Sequence, residues 1–96
     1  MKQKRNRKKR DQWFHAKQKF IERKGIDLTK KLNDELINII YSKPNKRKLI
    51  KKQSNRISIY DISYKEDIFR LVFDRFRKSI VTILPEDEEI KFYGNL

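Results

Sequence analysis

Apolar residues recur at helical spacing in the first half of the chain and alternate with polar ones in the second. Between Asp11 and Lys24, Trp13, Phe14, Phe20 and Ile21 fall toward one side of a 3.6-residue repeat, which predicts an amphipathic helix. Asp11 stands where it can offset the helix dipole, and Gly25 suits a left-handed cap. A second helix is expected over Leu28 to Ser42, with Leu32, Leu36, Ile39 and Ile40 as its stripe and Ile37 at the margin. Asp27 or Thr29 can cap it, and Pro44 disfavours helical geometry at Lys43. The short Gly25–Asp27 link suggests a helical hairpin.

Beyond Pro44 the period falls to two. Lys48 to Lys52, Arg56 to Ile62, Ile68 to Asp74 and Ile80 to Leu84 read as strands, the third with Phe69, Leu71 and Phe73 on one face. Lys65-Glu66-Asp67 and Arg75 to Ser79 are the expected turns, Pro85 closes the last strand, and Ile90 to Tyr93 can add a short edge strand. Successive strands with short links imply an antiparallel meander. The expected fold class is α+β, with two N-terminal helices packed on one face of an antiparallel sheet of about four strands.

Charge changes the picture most. The 96 residues hold 26 Lys and Arg against 13 Asp and Glu, a net charge of +13. Such a field concentrates polyanions, so RNA, DNA or a ribosome is the expected partner, with anionic lipid as a weaker alternative. Met1 to Arg10 carries seven Lys and Arg and no acid, which predicts a disordered basic arm ahead of a single domain over residues 11–96. The acidic run Glu86 to Glu89 reads as a solvated loop, or as a segment folding back over the basic site. There is no cysteine and one histidine, so neither a disulfide framework nor a metal site is expected, and no cofactor. No apolar run approaches a membrane span, and no apolar signal core follows the basic start; a cytoplasmic protein is expected.

No Gly-rich phosphate loop, paired metal ligands or nucleophile elbow is present. The remaining inventory fits metal-independent RNA cleavage, in which the substrate's 2′-hydroxyl attacks the adjacent phosphate while the protein positions the strand and moves protons. His15, with Lys17 and Lys19 beside it, is the sharpest candidate for acid or base; an inert surface histidine is the plain alternative. The stretch Lys43 to Arg56 has seven Lys and Arg and no acid. Lys46, Arg47, Lys48, Lys51 and Lys52 are candidate phosphate contacts, and Arg56, with its forked guanidinium, is the candidate clamp at the scissile phosphate. At strand spacing Lys52, Ser54 and Arg56 would share one track. The lysines would equally protect a sheet edge from aggregation.

Tyr60, Tyr64 and Tyr93 could stack on bases. Core packing is the stronger expectation for Trp13, Phe14, Phe69 and Phe73, whereas Phe76 falls in a predicted turn between two arginines and is expected to be exposed. Thr82 could face the site, or simply favour the strand.

Three separated blocks resemble a group of small bacterial and phage domains of the RelE/ParE-like toxin superfamily. They are His15-Ala16 leading into Glu22-Arg23-Lys24-Gly25-Ile26, then Lys52-Gln53-Ser54-Asn55-Arg56, then Val72-Phe73-Asp74 with Ser79-Ile80-Val81-Thr82-Ile83-Leu84-Pro85. The resemblance implies helices on a curved sheet and a toxin-like endoribonuclease, with an acidic antitoxin protein as a further partner. His15 matches the group's helix histidine and Arg56 a strand arginine; Lys17 and Lys19 stand where arginine is usual. The basic arm and Phe76 depart from the group's pattern. A non-catalytic accessory protein that binds nucleic acid or ribosomes, or a ParE-like gyrase inhibitor, are the alternatives.

Overall fold

The computed structural model describes residues 2–85, with side chains described for residues 10–85. The acidic run Glu86 to Glu89 and the segment Ile90 to Tyr93 lie outside the described residues. Helix α1 spans Lys2–Lys24 and α2 spans Lys30–Ser42; a 3-10 turn at Pro44–Lys46 leads into β1 (Arg47–Lys52), β2 (Ile57–Tyr64), β3 (Asp67–Asp74) and β4 (Ser79–Leu84). The strands form one antiparallel sheet in the order β1-β2-β3-β4, so β1 and β4 are its edges. The expected α+β class and meander hold, with strand limits within two residues of those read from the alternation.

Three expectations for the helices change. Helix α1 begins at Lys2 and not at Asp11, so the segment expected as a disordered arm is helical from Lys2. Lys, Arg and Gln are strong helix formers, and a helix whose later turns are docked extends without a new nucleation cost. The buried stripe of α1 is Trp13, Ala16 and Phe20, at i, i+3 and i+7. Phe14 and Ile21 each sit one residue further on, about 100° around the helix, and are more than half exposed. Finally, the helices do not form a closely packed hairpin: α1 lies mainly against β4, while α2 packs on β2 and β4.

Local chemistry sets the ends. Gly25 adopts φ 66°, and its amide donates to the Ile21 carbonyl at 3.0 Å, stopping α1. Thr29 caps α2, its hydroxyl accepting from the Leu32 amide at 3.1 Å. At the other end the Arg47 guanidinium donates to the Ile40 carbonyl, where the helix dipole favours a cation.

The sheet is apolar on both faces. The helix side gathers Ala16, Phe20, Leu28, Leu36, Ile39 and Ile40 against Ile62, Phe69, Leu71, Phe73, Ile80 and Ile83. On the opposite side Ile57, Ile59, Val72 and Leu84 form a smaller buried cluster. There Asp61 and Arg70 stand directly opposite in register and join through two bonds, at 2.8 and 2.9 Å.

Candidate nucleic-acid interface

In a four-stranded meander the β1–β2 and β3–β4 turns emerge at the same end of the sheet, and backbone pairing ties them together. Ile57 pairs with Asp74, and Asp74 with Ser79. The Arg75 amide donates to the Arg56 carbonyl at 2.7 Å. Lys52, Arg56, Arg75, Arg77 and Lys78 thereby lie on the strand ends and turns of this one end, and two of them, Arg56 and Arg77, reach the Asp74 carboxylate.

Asp74 is fully buried and organises this end. One carboxylate oxygen accepts from the Phe76 and Arg77 amides, both at 3.0 Å, which fixes the β3–β4 turn. The other accepts from Arg56 Nε at 2.9 Å and Nη2 at 2.8 Å, and from the Gln12 amide at 3.5 Å. Burial alone pushes the Asp74 carboxyl up. The Arg56 hydrogen bond, the Arg77 amide, the Arg56 charge and Gln12 together outweigh it and hold the carboxyl below its ordinary range. In the sequence Asp74 figured only within the Val72-Phe73-Asp74 block, with no role of its own, and Gln12 not at all; the available signal was an aspartate at a strand end, where its side chain can bond amides two and three residues on.

From this end a run of cations continues along β1. Lys46, Lys48 and Lys52 are exposed, and β1 has a neighbouring strand on one side only. Lys51 is half-buried beside a register shift between Leu49 and Lys51. Tyr41 and Leu49 are about half exposed, and Tyr60, paired with Leu49, packs edge-on to Phe73 at 6.5 Å.

On the helix side of the same end, a groove of about 700 Å³ runs between α1, α2 and the start of β4. Trp13, Ile37 and Ile80 give it apolar walls, and Arg10, Lys30 and Lys78 stand around them.

Several candidate residues have structural partners. Lys17 donates to the Asp27 carboxylate at 3.0 Å and the Leu28 carbonyl at 3.1 Å, clamping the interhelical link, and Lys19 pairs with Glu22 at 3.1 Å. Ser54 does not extend a strand track with Lys52 and Arg56. Residues 53–56 form the turn, held by the Gln53 and Ser54 amides on the Ile57 carbonyl, and the Ser54 hydroxyl accepts from the Arg56 and Ile57 amides. Tyr64 donates to Glu35. Thr82 is buried, and its hydroxyl has no partner among the described residues.

His15 is exposed and bonds no described residue. It lies one turn beyond Gln12, whose amide reaches Asp74 and whose carbonyl accepts from Ser79. Helix α1 and the β1–β2 turn therefore meet on Asp74 through Gln12, not through His15. Among the described residues no group of three or more His, Cys, Asp or Glu could hold a metal, and no helix is long and apolar enough to cross a membrane.

Comparison with protein-family models, curated proteins and solved structures gave no match.

Proposed function

We propose that this chain binds RNA, holding the sugar–phosphate backbone along β1 and across the joined turns at the end of the sheet. The observation that carries this reading is the series of exposed lysines at the open edge of the sheet, Lys46 just before β1 and Lys48 and Lys52 within it, which the register shift turns to opposite faces, leading into Arg56, Arg75, Arg77 and Lys78 at the joined turns. No acid occurs from residue 36 to residue 60; across the strand pair Asp61 stands opposite Lys48, and it is already held by two bonds from Arg70. Isolated lysines would serve as edge protection; a cationic series joined to a second cationic turn is complementary to a chain with one charge per nucleotide.

The test is binding of a single-stranded RNA of about a dozen nucleotides across a salt series. Affinity should fall steeply with salt, and replacing Lys46, Lys48 and Lys52 by Gln should lower the log–log slope by about 2, at roughly 0.7 per lost phosphate contact. An unchanged slope in the triple variant would remove β1 from the interface. No binding at low salt would end the proposal.

Cleavage of the bound strand is the second reading, drawn from the exposed His15 one helical turn from the Gln12–Asp74–Arg56 network. It extends the resemblance to RelE-like endoribonucleases, and with it the expectation of an acidic antitoxin. Mapping new 5′ ends after incubation with total RNA and translating ribosomes tests it. Products should form with the parent and be lost with His15→Ala; equal products from both would remove His15 from the chemistry.

A further inference from the structure

Phe76 is the most exposed large apolar side chain among the described residues, 69% accessible at the apex of the β3–β4 turn. Nothing local requires a phenyl ring there, and polar residues are the ordinary occupants of such a turn. Its placement is nevertheless firmly held. Asp74 accepts the Phe76 and Arg77 amides, Arg56 braces Asp74 from the neighbouring turn, and Lys78 closes the loop at φ 53°. The ring is thus presented to solvent from a rigid support, between Arg75 and Arg77 and beside Lys78.

We infer that Phe76 is a stacking platform for one unpaired base of RNA, with Arg75 and Lys78 holding the flanking phosphates. This rests on the RNA-binding reading above and adds where and how a base is engaged. The pairing of features selects the ligand class. An apolar protein segment covering Phe76 would have to strip water from the adjacent guanidinium and ammonium groups without replacing their partners. A single strand of RNA presents a flat π-face and a negative charge in every nucleotide, and so satisfies both at once. A duplex keeps its base faces inside the stack, beyond the reach of a side chain at a turn apex.

The experiment compares the parent, Phe76→Ala, Phe76→Trp and Arg75→Gln on an octamer of uridylate and on a duplex of equal length. Phe76→Ala should weaken single-strand binding roughly 5- to 100-fold with an unchanged salt slope, because an uncharged contact is lost. Arg75→Gln should lower the slope by about 0.7. Phe76→Trp should restore or exceed parental affinity, and duplex binding should not respond to Phe76→Ala. The ring is exposed, so these variants should unfold as the parent does. If Phe76→Ala binds the octamer like the parent while the parent shows salt-dependent binding, the platform is wrong and the charge-driven interface stands. If the parent binds no RNA at low salt, both fall together.

Discussion

Asp74 shows how one residue can tie a fold to a surface. Its carboxylate is the only acid among the strand ends and turns where Arg56, Arg75, Arg77 and Lys78 meet, and it is the group that makes their proximity tolerable. Its folded-state ionisation is shifted down, so its contribution to stability is present above the unfolded carboxyl value, about 3.9, and is lost as pH falls through the folded value. Asp74→Asn should therefore cost about 2–4 kcal/mol at pH 7, by leaving Arg56 and two turn amides short of a charged acceptor. The deficit should shrink as pH drops below about 4, where the parent carboxylate itself protonates. Urea unfolding at pH 7 and pH 3 checks this; an equal deficit at both values would mean that charge is not what Asp74 supplies. Little of this was legible in the sequence. An alternation of apolar residues locates β3 but is silent on which polar group its last position buries. The same limit misplaced Phe14 and Ile21: apolar residues one position off the Trp13–Ala16–Phe20 stripe look like core in a list and lie on the exposed side in space.

At the scale of elements the strands were the readable part. The alternation in Arg56 to Ile62 and Ile68 to Asp74, with turns between, gave the meander order because short antiparallel links leave few other pairings. Helix docking was not readable in the same way. A brief link after Gly25 suggested a hairpin, yet α1 is drawn to β4 by specific bonds: Arg23 to the Ile83 carbonyl, and Gln12 with Ser79. Such partners have no periodic signature. The β2–β3 turn carries its own strain. Tyr64 pairs with Asp67, and Lys65 and Glu66 between them adopt φ 47° and 65°. A two-residue hairpin of this kind favours Asn-Gly, and a side chain held at positive φ is disfavoured by about 1 kcal/mol. Glu66→Gly should therefore raise stability by up to about 1 kcal/mol; because it also removes one acid from a chain of net charge +13, RNA affinity should hold or rise slightly and not fall. Thermal unfolding of the variant beside a binding isotherm checks both halves; a loss of stability would mean that Glu66 makes a contact outweighing its backbone cost.

For the whole molecule, an excess of thirteen positive charges has two consequences with opposite dependence on salt. Like charges within a small fold repel, and added salt screens that repulsion, so the melting temperature should rise with ionic strength. The same salt competes with the protein for phosphates, so affinity for RNA should fall. Replacing Lys46, Lys48 and Lys52 by Gln separates the two effects. These side chains are exposed, so their loss removes little packing. If these lysines exist to meet a polyanion, the triple variant should melt at or above the parent's temperature in low salt, with a weaker response to added salt, while its RNA binding declines. Stability would then be the quantity conceded to the ligand along β1. If the lysines serve only to guard the open edge, the variant should keep its RNA affinity and instead self-associate, because neutral glutamines leave the unpaired amides and carbonyls of β1 open to a second chain. Light scattering and RNA binding on one preparation tell these outcomes apart. Declining affinity in a variant that stays monomeric identifies β1 as a binding edge rather than merely a guarded one.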